Sequence, residues 1–347
     1  MTRRRSHTVL TAGLVAVALG LTACSDDGAE PDAVAGASDD ALVVYNAQHE
    51  QLTQEWADAF TDETGIEVVL RNGSDSELGN QLVQEGDQSR ADVFLTENSP
   101  AISLVENAGL LAPVDQTTLD QVPAQYRPSS GLWTGIAARS TVFVYDPDEL
   151  TEAELPASIM DLADPAWKGR WGAAPGGADF QAIVSAILEL EGADATSAWL
   201  DGMKDNATVY QNNIATMKAV NAGEIPGGVI YHYYWYRDQD GTKENSGNTQ
   251  LHYFRNQDPG AFVSVSGGGV LASSENQDDA QAFLAFLTGS TGQEILGTGY
   301  SMEYPVATGA PANPALPLLD TLQAPQVDPS TLNSVEVTDL MTDAGLL

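Results

Sequence analysis

Between Ala41 and Gly109 the chain alternates short apolar runs with helical stripes, and no other feature limits its fold as tightly. Ala41-Leu42-Val43-Val44-Tyr45 has the length of a strand. Leu52, Trp56 and Phe60 then recur at spacings of four, one face of a helix, and Gly65 stops it. Ile66 to Leu70 predicts the next strand, and Ser76 to Gly86 the next helix, with Leu78, Leu82 and Val83 on one side. Asp92 to Leu95 and Ile102 to Ala108 repeat the pattern. Units of this size imply an α/β protein whose early strands pair mainly in parallel.

Roughly 320 residues follow the leader described below, more than one core usually serves, so two lobes are expected. Thr141 to Tyr145 reads as a strand crossing between them, and Val263 to Val270 as the return, with Ser266-Gly267-Gly268-Gly269 as its turn. The expected architecture is two mixed-sheet α/β lobes on a two-segment hinge. Residues 41–140 and 264–312 form the first lobe, and 141–263 and 313–347 the second. In the second, 169–174 predicts a strand that runs through Pro175-Gly176-Gly177-Ala178-Asp179 into a helix carrying Phe180, Ile183, Val184 and Ile187. A strand, glycine turn and helix start can hold an anion on free backbone N–H groups. Asn213 reads as the cap of a helix over 214–222, and Val335 to Leu347 as the last helix.

The N-terminus carries Arg3-Arg4-Arg5, an apolar run to Leu21, and Leu21-Thr22-Ala23-Cys24. This is the form of an export signal, 1–23, and its apolar run is too short to span a membrane as a helix. Cys24 is the single cysteine, so no intrachain disulfide can form. Its position resembles a bacterial lipobox, which implies a lipid-modified mature N-terminus, and 24–40, rich in Ala, Asp, Gly and Ser, reads as a flexible tether. The formal net charge is −35, and the only charges in the leader are arginines, so the remainder is more acidic still. Such a chain is not drawn to nucleic acid or to an anionic membrane surface.

Ile230-Tyr231-His232-Tyr233-Tyr234-Trp235-Tyr236-Arg237 concentrates four of the 11 tyrosines in eight residues. On a continuing strand Tyr233 and Tyr234 would face opposite ways. If the strand ends near Tyr231 and a helix begins, they lie about 100° apart and both phenols reach one site. His49 and Glu97 each follow a predicted strand end, the edge at which open α/β sheets bind ligands.

Asn46-Ala47-Gln48-His49, Asp92 to Glu97, Trp167-Lys168-Gly169-Arg170, Tyr233 to Tyr236, Gln257 to Ala261 and Glu303-Tyr304-Pro305 resemble, in order, the bacterial ferric-ion-binding proteins. These are the substrate-binding components of iron ABC importers, with a bilobed periplasmic-binding-protein fold like one lobe of transferrin. The resemblance implies Fe(III) held by His49, Glu97, Tyr233 and Tyr234, with a small anion such as carbonate or phosphate. It also implies a monomer outside the cytoplasm that serves a membrane permease. Phenolate and carboxylate oxygens are hard anionic donors that suit a small trivalent ion. The anion position would involve Gly177, Ala178, Asp179, Asn213 and Tyr231. Asp179 and Tyr231 depart from the phosphate-using pattern, so Asp179 is expected to repel a free anion or to replace it. Arg139 is a possible anion partner, read more simply as a hinge-surface arginine, and His232 is an alternative ligand, read more simply as supporting the site without ligating.

Two other readings compete. A binding protein of the same fold for a polyamine, thiamine or phosphonate would use the aromatic run as a stacking platform. A secreted hydrolase lacks its sequence marks here, with neither a Gly-x-Ser-x-Gly elbow nor a His-Glu-x-x-His helix.

Overall fold

The structure, a computed structural model, describes Ser38 and residues 40–347. The export signal, Cys24 and nearly all of the tether lie outside the described residues. Among the described residues no helix is long and apolar enough to cross a membrane.

The first lobe begins β1 (Leu42–Asn46), α1 (Glu50–Thr64), β2 (Val68–Asn72), α2 (Asp75–Glu85), β3 (Val93–Leu95), α3 (Ser99–Asn107) and the short α4 (Gln116–Leu119). The alternation is as the apolar runs predict, with β2 two residues later and α3 three residues earlier. Ser74 caps α2 by accepting from the Glu77 N–H, which fixes its start. β4 (Thr134–Tyr145) is a single twelve-residue strand, buried at every position.

The second lobe holds β5 (Trp171–Ala173), α5 (Ala178–Glu191), α6 (Ala193–Asn206), β6 (Ala207–Val209), α7 (Asn213–Asn221), β7 (Gly227–Tyr231), α8 (His232–Asp240) and β8 (Gln250–His252). β9 (Val263–Val270) returns, α9 (Gln277–Thr288) and α10 (Ser290–Thr298) pack on α1, and α11 (Ser334–Asp343) packs on α5 and α6.

The strand order is β2-β1-β3-β9-β4-β7-β5-β6, with β8 also on β4. β1 pairs in parallel with β2 and β3, whereas β9 is antiparallel to β3 and β4. β4 changes partner along its length: Thr134 to Ser140 face β9, and Thr141 to Tyr145 face β7. Each half has its own core. Trp56, Phe60 and Phe283 lie on one side of the first half, and Phe94, Ile102 and Trp133 on the other. Trp171, Phe180 and Trp199 fill the second half together with Val337 and Met341 of α11.

Gly267, Gly268 and Gly269 make no turn. They lie inside β9, where a Cβ on Gly267 would come within 2.7 Å of the Ile102 side chain, so the glycines admit close packing in an unbroken strand.

Candidate metal centre

Two loops of the first lobe bring up side chains from strand ends. After β1, Asn46 organises its loop: its Oδ1 accepts from the Gln48 N–H at 3.1 Å and from Thr53 Oγ1 at 2.9 Å. His49 then occupies the N-cap position of α1 without capping it, which leaves the imidazole free to face the cleft. After β3, the N–H groups of Glu97 and Asn98 donate to Asp75 at 2.8 and 2.9 Å, so the first turn of α2 fixes the Glu97 backbone. Burial pushes the Asp75 carboxyl up to about 8, against the lowering effect of those donors.

In the second lobe β7 ends at Tyr231 and α8 starts at His232, the break that lets both phenols point one way. The rings of Tyr233 and Tyr234 lie 4.2 Å apart. Tyr233 donates to Glu97 Oε1 at 2.9 Å, and Tyr234 to Asp179 Oδ2 at 3.0 Å. The His49 ring meets Tyr233 edge-on at 5.0 Å, and its Nε2 stands 3.8 Å from Glu97 Oε1. The four residues that the resemblance implies as ligands thus lie together, drawn from both lobes.

Asp179, in the first turn of α5, is buried beside these phenols. It accepts from Asn213 Nδ2 at 2.7 Å and from Asn98 Nδ2, across the cleft, at 3.0 Å. Tyr231 donates to Asn98 Oδ1 at 3.3 Å. The Gly177 N–H is engaged by the Ala174 carbonyl, and Ala178 opens α5. Asn213 is not the cap of α7. Asn212 fills that role by accepting from the Ala215 N–H, and Asn213 is turned to Asp179 instead.

Arg139 is not at the surface. It is wholly buried, its Nη2 is paired with Glu303, which is equally buried, and its Cζ lies 5.7 Å from the centre of the Tyr233 ring. Its partner is far away in sequence, so no local pattern signals the burial. Glu303, Asp75 and Asn98 had no assigned role in the sequence. Glu303 alone carried a signal, as part of the Glu303-Tyr304-Pro305 motif. His232 is buried against Tyr304, its Nδ1 accepting from the Ser140 N–H.

Burial, with Arg139 and Arg237 nearby, lowers His49 to about 3, so the imidazole is neutral and offers a lone pair. Burial, Asp179 and Glu97 hold the Tyr233 and Tyr234 phenols well above their usual range. They remain protonated unless a strong positive charge enters. Burial and Glu97 also raise Asp179. Among the described residues His49 Nε2 and Glu303 Oε2 are buried polar atoms with no partner. No three His, Cys, Asp or Glu side chains stand there as a metal set.

A bilobed α/β fold with a polar cluster built from both lobes defines a solute receptor of the periplasmic-binding-protein type. The chain belongs to the bacterial extracellular solute-binding proteins, whose family pattern matches residues 88–329. It is 62% identical over 315 residues to the Fe(3+)-binding periplasmic protein of Serratia marcescens, covering 91% of this chain and 93% of that one. It is 37% identical over 308 residues to the major ferric iron-binding protein of Neisseria meningitidis serogroup B, covering 88% and 93%. Iron-bound HitA from Pseudomonas aeruginosa superposes with a TM-score of 0.82 at 41% identity, covering 88% of this chain and 99% of that one. These relatives are named for binding iron, which groups the chain with binding proteins rather than enzymes.

Proposed function

We propose that this chain captures ferric iron outside the cytoplasm and delivers it to an ABC permease. The observation that carries the reading is the convergence on one point of Tyr233, Glu97, His49 and Asp179, with Tyr233 bonded to Glu97 at 2.9 Å across the cleft. Iron is the cargo. Two phenolates, a carboxylate and a neutral imidazole are hard or borderline donors that match Fe(III), and its charge supplies what the raised phenols need to ionise.

Asp179 takes the place of a separate anion in this reading. Its carboxylate lies among Asn213, Asn98 and Tyr234, where a free phosphate or carbonate would meet a negative charge. Iron bridging donors of both lobes favours the closed form, the form a permease would select. The lobes are 41–140 with 264–312, and 141–263 with 313–347. The change of β4 partner between Ser140 and Thr141 supports that division. Cys24 anchors the mature monomer to the membrane through lipid, and 24–40 is its tether.

The test is a ferric titration of the soluble domain, followed in the visible range with and without phosphate or carbonate, alongside Tyr234→Phe. A strong phenolate-to-iron band that the substitution weakens or shifts is expected. No band under any anion would point instead to an organic solute held on the aromatic run.

A further inference from the structure

Gln48 is buried at 3% exposure and uses both ends of its carboxamide. Its Oε1 accepts from the His49 N–H at 2.8 Å and from Arg139 Nη2, on β4, at 3.4 Å. Its Nε2 donates to Ser266 Oγ, on β9, at 2.9 Å, and that hydroxyl donates onward to the Glu97 carbonyl at 3.0 Å. One side chain therefore joins the two first-lobe loops that face the cleft to the two strands that cross between lobes.

We infer that Gln48 is a positioning residue for the metal centre, holding His49 and Glu97 in fixed relation to each other and to both hinge strands. The inference rests on the ferric reading above. Neither carboxamide end points at the proposed donors, so Gln48 acts through the backbone of His49 and, by way of Ser266, of Glu97. A carboxamide suits this place because it offers an acceptor to two N–H donors and a donor to a hydroxyl. Alanine would strand the His49 N–H and one guanidinium donor, and would let the two loops move apart. Groups that orient metal ligands from behind typically change metal affinity by about 10–100-fold.

The experiment compares wild type, Gln48→Ala, Ser266→Ala and Thr288→Ala, each loaded with Fe(III). Thr288 supplies a buried hydroxyl bonded to Gln121, remote from the cleft, and reports what loss of an ordinary buried hydrogen bond does. Iron withdrawal by excess EDTA is timed on the visible band, and unfolding of the iron-free proteins is measured in urea. Release from Gln48→Ala and Ser266→Ala is expected to be about 10–100-fold faster than from wild type, with the band maximum shifted. Thr288→Ala should lose stability yet release iron at the wild-type rate with an unmoved band. If Gln48→Ala does not fold, Ser266→Ala carries the comparison. Release at the wild-type rate, or equal acceleration in Thr288→Ala, overturns the positioning role. A wild type without any iron band overturns the ferric reading, and this inference with it.

Discussion

The phenol of Tyr233, on a helix of the second lobe, donates to Glu97 Oε1, in a loop of the first, at 2.9 Å. The same hydroxyl lies 3.4 Å from Asp179 Oδ2. One proton is thus shared among groups that would all have to turn to a metal, and iron would take its place.

Tyr233→Phe should therefore remove a ligand and a cross-cleft bond together. The expected loss in ferric affinity exceeds about hundredfold, beyond what supporting groups produce. Competition against a chelator of known affinity measures it. Affinity within a few-fold of wild type would take Tyr233 off the metal.

Acid should release the metal, and the slope identifies the groups. Both phenols are protonated in the empty cleft because their values are raised, so binding Fe(III) expels two protons. Affinity then rises with pH, by about hundredfold per unit near neutrality. Asp179, also raised, steepens the dependence toward lower pH. His49, lowered to about 3, is already neutral and adds nothing between pH 6 and 8. Chelator competition across that range gives the slope, and a flat profile would mean that phenolate is not formed.

Much of this centre was legible from short stretches. His49 and Glu97 follow strand ends, whereas the sequence left open whether the strand breaks near Tyr231, the one of its two alternatives that lets adjacent phenols share a site. What could not be read were contacts between distant segments. Arg139 looked like a surface residue because Glu303, its partner, comes 164 positions later. Asn213 looked like a cap because the choice between it and Asn212 depends on Asp179, in another helix. The glycines of β9 looked like a turn because local composition does not record Ile102 or Leu284 packed against them.

Asp179→Ser should make binding depend on an added anion. The wild type carries its own carboxylate among Asn213, Asn98 and Tyr234, so phosphate should change its ferric affinity little. The serine variant removes that charge and leaves donors pointing at the gap. Its affinity should rise at least about tenfold on adding phosphate, the scale of one or two charge-assisted hydrogen bonds. Parallel titrations decide it, and a wild type that binds tightly only with added phosphate or carbonate would contradict the role given to Asp179.

Cys24→Ala should leave binding by the folded domain untouched while abolishing lipid attachment. Labelled fatty acid incorporation and detergent-phase partitioning, compared in the producing bacterium, read this directly. A variant as strongly membrane-retained and as strongly labelled as wild type would remove the anchor from that cysteine.

Arg139 and Glu303 are both wholly buried, one on the hinge strand β4 and the other beside Tyr304, whose N–H and carbonyl bond Ala138 of the same strand. Breaking such a pair leaves a bare charge buried away from water, whereas replacing both partners removes the charges together. Arg139→Met alone should cost about 3–5 kcal/mol, because Glu303 loses its counter-charge. Adding Glu303→Met should recover most of that loss, since the ion pair's net contribution to stability is small. Urea unfolding of the iron-free single and double variants measures both. If the double variant is as unstable as the sum of the singles, the two residues act separately and the pair is not what joins the hinge strand to the Glu303 segment.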